Sequence, residues 1–154
     1  MKKILTLFLF LFLLENCGYS PMYSKNQKTD FYIQSIDFDD GDNEMASFIK
    51  TNLSNYFTKN AEKSFIINTK IKYQKTPISK TAEAITEEYN LNSMVTFQIK
   101  SENFNKTLVV NETSKMDNFN DEFEEKQYEQ TIKKNMSRSI VSKLLIQLSR
   151  FNVN

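Results

Sequence analysis

The sequence has no histidine, one cysteine, two glycines and two prolines among 154 residues. Each scarcity removes a chemistry. Without an imidazole there is no histidine general acid or base, no Ser-His-Asp triad and no His-ligated metal. One cysteine cannot close an internal disulfide or build a Cys-ligated zinc site. Two glycines cannot supply a phosphate-cradling loop or a dinucleotide fingerprint. Carboxylates alone could still run glycoside hydrolysis, and Glu87, Glu88, Glu124 and Glu125 are at hand. Adjacent carboxylates on one element are ordinarily solvated surface, so the expectation is a protein that is not an enzyme and needs no cofactor or metal. Charge of one sign is also missing. Lys and Arg total 20 against 19 Asp and Glu, which gives no basic field for nucleic acid.

The apolar residues are concentrated first at the N-terminus. Met1-Lys2-Lys3 precedes Ile4 to Leu14, a run of Leu, Phe and Ile with Thr6 its one polar member. Basic residues before a short apolar block match a secretory signal, and the block is shorter than the ~20 residues a membrane-spanning helix needs. Directly after it stands "LENCGYSPMY", residues 14 to 23, which holds the lone Cys17. A free thiol sits poorly in an oxidising compartment. A signal peptide ending at one cysteine resembles that of a bacterial lipoprotein precursor, which implies lipid added at Cys17. The expected division is a removed signal at 1–16, an anchor and tether at 17–29, and one domain at 30–154. Removal of the signal leaves 138 of the 154 residues, with 18 of the 20 basic and 18 of the 19 acidic side chains, a net charge of zero.

Residues 30 to 38 are apolar and aromatic enough for a strand, and 39 to 43 read as a turn with capping residues. Met45, Phe48, Ile49, Leu53, Tyr56 and Phe57 recur at helical spacing and predict a helix over 43–59. Residues 64 to 75 alternate strictly. Phe65, Ile67, Thr69, Ile71 and Tyr73 fall on one face, and Ile66, Asn68, Lys70, Lys72 and Gln74 on the other. A third strand spans 86–100, with Tyr89, Leu91, Val95, Phe97 and Ile99 inward and Ser93 and Met94 breaking the rule. After a turn at 102–105, residues 107–114 predict a fourth strand with Leu108 and Val110 inward. A closing helix begins near Asn120, with a seam of Tyr128, Ile132, Met136, Ile140, Leu144, Leu148 and Phe151. Lys133, Lys134, Arg138, Lys143 and Arg150 are read as its solvated basic face. The order β-α-β-β-β-α predicts an α+β two-layer sandwich, with two helices on one face of a four-stranded mixed sheet and the other face polar.

The opening of the mature chain resembles a known family. "CGYSPMY" is similar to the start of the LPS-assembly lipoprotein LptE family, whose members often begin Cys-Gly-(aromatic)-x-Pro-Leu-Tyr. Cys17, Gly18, Tyr19, Pro21 and Tyr23 match, and Met22 stands in place of Leu. "AEAITEEYNLNSMVTFQIK" (82–100) and "YEQTIKKNMSRSIVSKLLIQL" (128–148) are similar to the family's mid-chain strand and closing helix. The resemblance implies the same sandwich and a role without catalysis. It implies a lipid-anchored protein on the periplasmic side of the outer membrane that plugs the LptD barrel, assists its assembly and binds lipopolysaccharide. The alternative is an accessory lipoprotein of another outer-membrane barrel-assembly or secretion complex. Phosphates on the ligand call for Lys or Arg. Lys70, Lys72, Lys75 and Lys80 form an acid-free cluster, with the first two outward on the second strand and the others expected in the loop beyond it. The same lysines could serve only to keep a sheet face or edge soluble.

Overall fold

The computed structural model describes residues 30–39, 41–58, 61–80, 82 and 86–151. The expected signal peptide, Cys17 and the tether lie outside them. The elements are β1 (Phe31–Phe38), α1 (Asn43–Leu53) with a 3-10 turn at Ser54–Tyr56, β2 (Lys63–Lys80), β3 (Thr86–Ser101), β4 (Phe104–Asp117) and α2 (Glu122–Arg150). The sheet order is β1-β2-β3-β4. β1 and β2 are parallel, joined through α1, and the other two pairs are antiparallel. This is the expected α+β sandwich of two helices and four strands.

Alternation builds the core. In β2, Phe65, Ile67, Thr69 and Ile71 are buried beneath the helices, and in β3 Leu91, Val95, Phe97 and Ile99 continue the layer. Met45, Ile49 and Leu53 of α1 and Ile132, Met136, Ile140, Val141, Leu144 and Leu148 of α2 close over them. The expected break at Ser93 and Met94 does not occur. Ser93 is inward and fully buried, and Met94 is outward and 38% exposed. The serine keeps its place because its hydroxyl bonds the Met45 sulfur across the layer at 3.4 Å. In β1 the phase does change. The register shifts between Ile33 and Ser35, so Ile33 faces Phe65 and Ile36 faces Ile67. A bulge at Gln34 thereby lets both apolar pairs of this short strand reach one face.

Several boundaries move. α1 stops at Leu53 instead of 59, because the chain tightens into the 3-10 turn that brings Tyr56 against Phe31, with ring centroids 5.9 Å apart. β2 runs to Lys80, past the expected 75, because β3 offers it a pairing partner as far as Thr86. The hairpin turn shrinks to Glu102-Asn103, since Ser101 pairs with Phe104. Phe104 joins Phe65 and Phe151 in an edge-to-face aromatic cluster. Tyr128, placed in the α2 seam by its spacing, is 46% exposed. Its ring lies tilted against Phe119, with centroids 5.2 Å apart, because the first turns of α2 extend past the core.

Both helices are capped as their sequences direct. The Asp42 carboxylate accepts from the Met45 amide at 2.8 Å, and Asp121 accepts from Phe123 and Glu124. Gly41 has a different reason. A Cβ there would lie 2.5 Å from the Ile71 carbonyl oxygen, so only glycine lets the β1–α1 loop settle on β2.

Candidate ligand-binding surface

The four lysines singled out from the sequence do not stay together. Lys70 and Lys72 are exposed on the open face of the sheet, as alternation requires. Lys75 and Lys80 are strand residues, not loop residues, because pairing with β3 carries β2 to its end. Lys75 lies opposite the buried Leu91 and so points to the helix side. There its ammonium donates to Glu125 and, at 3.0 Å, to Glu129 of α2, and rests 4.4 Å from the Tyr89 ring centroid. Lys80 is exposed at the far end of the strand.

Lys75 belongs to a network that sequence alone did not reveal. Lys133 was read as solvated, yet it is buried to 9% exposure. Its ammonium lies over the Tyr73 ring and donates to Asp42 at 2.7 Å and Glu44 at 3.2 Å. The Tyr73 hydroxyl donates to Glu129 at 2.9 Å. Burial opposes the charged form of Lys133, but the bonds to Asp42 and Glu44 outweigh it and raise the pKa above the usual lysine value. Lys75 is raised in the same way, its bonds to Glu125 and Glu129 overcoming burial. The bond from Lys75 holds the Glu125 carboxyl below its ordinary range. Burial, then the bond to Glu129, pushes the Tyr73 phenol up. Aspartate caps α1, lysine crosses from α2, and tyrosine rises from β2, so the network ties three elements at the margin of the apolar core.

The open face is different in kind. The rows Asn68–Gln98–Thr107, Lys70–Thr96–Val109, Lys72–Met94–Asn111 and Gln74–Asn92–Thr113 cross β2, β3 and β4. Lys100, paired with Ile66, adds a cation four residues along β3 from Thr96, the neighbour of Lys70. Alternation had already put Lys100 outward, but only strand register puts it on the same panel. Among the described residues Lys70, Lys72, Lys80 and Lys100 form no ion pair. Beside this face, Phe38, Asp39, Gly41, Asn43 and Lys70 line an open hollow of about 600 Å³. Its aspartate and lysine make it mixed in charge. Such a panel offers amide, hydroxyl and ammonium donors to a polar partner. No cluster of potential metal ligands occurs among the described residues.

Solved structures with the same arrangement are lipoproteins by name. Rare lipoprotein B from Shewanella oneidensis superposes with a TM-score of 0.59 at 11% identity, covering 77% of this chain and 93% of its own. A minor lipoprotein from Acinetobacter baumannii gives 0.56 at 13%, covering 79% and 91%. A lipoprotein B from Nitrosomonas europaea gives 0.52 at 14%, covering 82% and 90%. At these identities the likeness is one of fold. No protein-family model and no curated protein matches the chain.

Proposed function

We propose that this chain is a non-catalytic lipoprotein, anchored through Cys17 to the outer membrane. On this reading it plugs and assists assembly of an LptD-type barrel and binds lipopolysaccharide from the periplasmic side. The observation that carries the reading is the sandwich itself, shared with proteins named as lipoproteins over at least 90% of their chains. The lone Cys17 after an apolar run and the "CGYSPMY" opening support it. So does the division of the sheet: one face is consumed by the helices, and the other is a mainly polar panel, with Ile66, Met94 and Val109 exposed among its polar residues, available for a broad contact. Lys70, Lys72 and Lys80 are the residues proposed for the ligand's phosphates, and Lys75 leaves that set because two carboxylates already hold it.

Depletion in cells is the direct test. Misassembled barrel and reduced surface lipopolysaccharide are expected. Normal levels of both would defeat the reading and favour an accessory role in another envelope complex. Changing Lys70, Lys72 and Lys80 together to Gln should weaken lipopolysaccharide binding and flatten its salt dependence. Unchanged binding would return these lysines to solubility alone.

A further inference from the structure

Among the described residues, no strand pairs with the outer side of β4, which is an open template. β4 is terminal in the sheet order, and its pairing with β3 runs from Phe104 to Asp117 without a register shift. Natural sheets blunt such an edge with bulges, proline or charge. β1 carries a bulge, and the far end of β2 carries Pro77, irregular pairing around Ser79, and lysines. β4 has at its middle Thr107-Leu108-Val109-Val110-Asn111, uncharged and without Pro or Gly. Val109 is 52% exposed. A hollow of about 230 Å³ is lined by Leu108, Val109, Val110, Asn111, Lys143 and Gln147. Four consecutive strand residues belong to both faces, so the hollow lies along the strand's free side.

The pattern around Val109 is self-complementary. Antiparallel pairing of two copies about that residue sets Val109 opposite Val109, Leu108 opposite Val110, Thr107 opposite Asn111, and Lys106 opposite Glu112. Lys106 and Glu112 lie opposite Ile99 and Ser93 in the β3–β4 register, both inward, so both are on the helix side. Glu112 receives Ser139 at 2.6 Å and Lys143 at 2.7 Å, and both contacts fall on Oε1. Oε2 is thus in position for a second ammonium. We infer that the free domain pairs with a second copy of itself through β4, antiparallel about Val109, to make a continuous eight-stranded sheet. Backbone hydrogen bonds supply the attraction, the Lys106–Glu112 pairs set the register, and the two Val109 side chains cover each other. The inference is independent of the proposed barrel partner.

The test is disulfide capture on the full chain in detergent. Cys17 stays in every variant, so Cys17–Cys17 links from any unlipidated chain appear equally in the wild type, and mixed links to Cys17 are controlled by comparing position 105 with position 109. In Val109→Cys the introduced thiols face each other across strands about 4.5–5.5 Å apart, within disulfide reach. In Asn105→Cys they stand eight residues apart, about 27 Å. Val109→Cys should give at least about fivefold more linked dimer than Asn105→Cys. Asn105→Cys mixed with Thr113→Cys should link, because these two positions pair. Lys106→Glu on the Val109→Cys background should lower the yield, since like charges then oppose. Equal yields at 105 and 109, or no link above wild type at 109, overturn the proposal and leave the edge to a strand from another protein or to none. An unchanged thermal melt for each variant confirms that the fold is intact.

Discussion

Among the described residues the sheet has two long edges without a neighbouring strand, and they are built in opposite ways. β1 pairs with β2 only from Lys63 to Thr69, so the half of β2 from Lys70 to Lys80 has no strand beside it. That half carries several guarding features, although Ile78 is 47% exposed. Gly41 folds the β1–α1 loop onto Ile71, Tyr73 and Lys75 are held by Glu129 and Glu125, Pro77 withholds a donor, and Lys72 and Lys80 stand exposed. β4 pairs without interruption and has no proline, bulge or central charge. An edge costs little to protect, so the contrast teaches where association is refused and where the molecule leaves it open.

The largest expected effect comes from cutting the strut behind the guarded edge. Lys133→Met leaves Asp42 and Glu44 facing each other without their shared cation. Breaking a buried pair typically costs about 3–5 kcal/mol; here the acids reach water in part, so about 3 kcal/mol is expected from urea unfolding. Next, Gly41→Val pushes a side chain against the Ile71 carbonyl, which is backbone and cannot swing away. Overpacking of this kind costs about 1–3 kcal/mol, and a fall in Tm of the corresponding size should follow.

Acid sharpens the comparison further. The folded-state pKa of Glu125 is depressed below 4.5 by its bond to Lys75. As pH falls, the unfolded chain takes up that proton first, so stability falls with it. The contribution is full above the ordinary value and disappears as pH passes down through the folded one. Glu125→Gln should lack this dependence, and its unfolding free energy should converge with that of the wild type at the acid end. The alkaline side has the opposite sign. Lys75, Lys133 and Tyr73 are raised, so their contribution is full below about pH 10 and declines as pH climbs through the folded values.

A smaller and opposite effect is expected at Thr69, whose buried hydroxyl has no hydrogen-bond partner. Thr69→Val removes an unpaired polar group of the same shape and should stabilise by about 1 kcal/mol. The smallest effect on stability, within about 0.5 kcal/mol, is expected for the pair Lys72→Val and Pro77→Val. It should nevertheless make the β2 edge associate, seen as rising light scattering with concentration. A pair of variants that stays as soluble as wild type would mean that these residues do not guard the edge.

The patterns visible in the sequence were those that depend on near neighbours along the chain. Period-two runs identified β2, β3 and the inward Leu108 and Val110 of β4, and helical spacing identified both helices, because each is a local steric repeat. Capping within 39–43, which the structure places at Asp42, acts over three residues and follows from side-chain type. The ends of β2 and β4 were less legible, since a polar strand persists only where a partner strand pairs with it. Ser93 looked like a break because polarity was read as direction, whereas a sulfur on α1 was waiting for its hydroxyl.

Charge was where sequence reasoning went furthest astray, for a physical reason. Lys70, Lys72, Lys75 and Lys80 are one cluster in sequence, but the strand sends Lys75 to the opposite side from Lys70 and Lys72, where α2 presents two carboxylates. Lys133 looked like one more cation on a basic helix, but Asp42 and Glu44, about ninety positions away, make its burial possible. The order of elements, the exposed face of β2 and the absence of histidine chemistry were determined by the chain's own composition and periodicity. Which lysines remain free, which edge is guarded and which carboxylates meet which cations were decided only by packing, because an ion pair or a sheet edge is defined by what stands across from it.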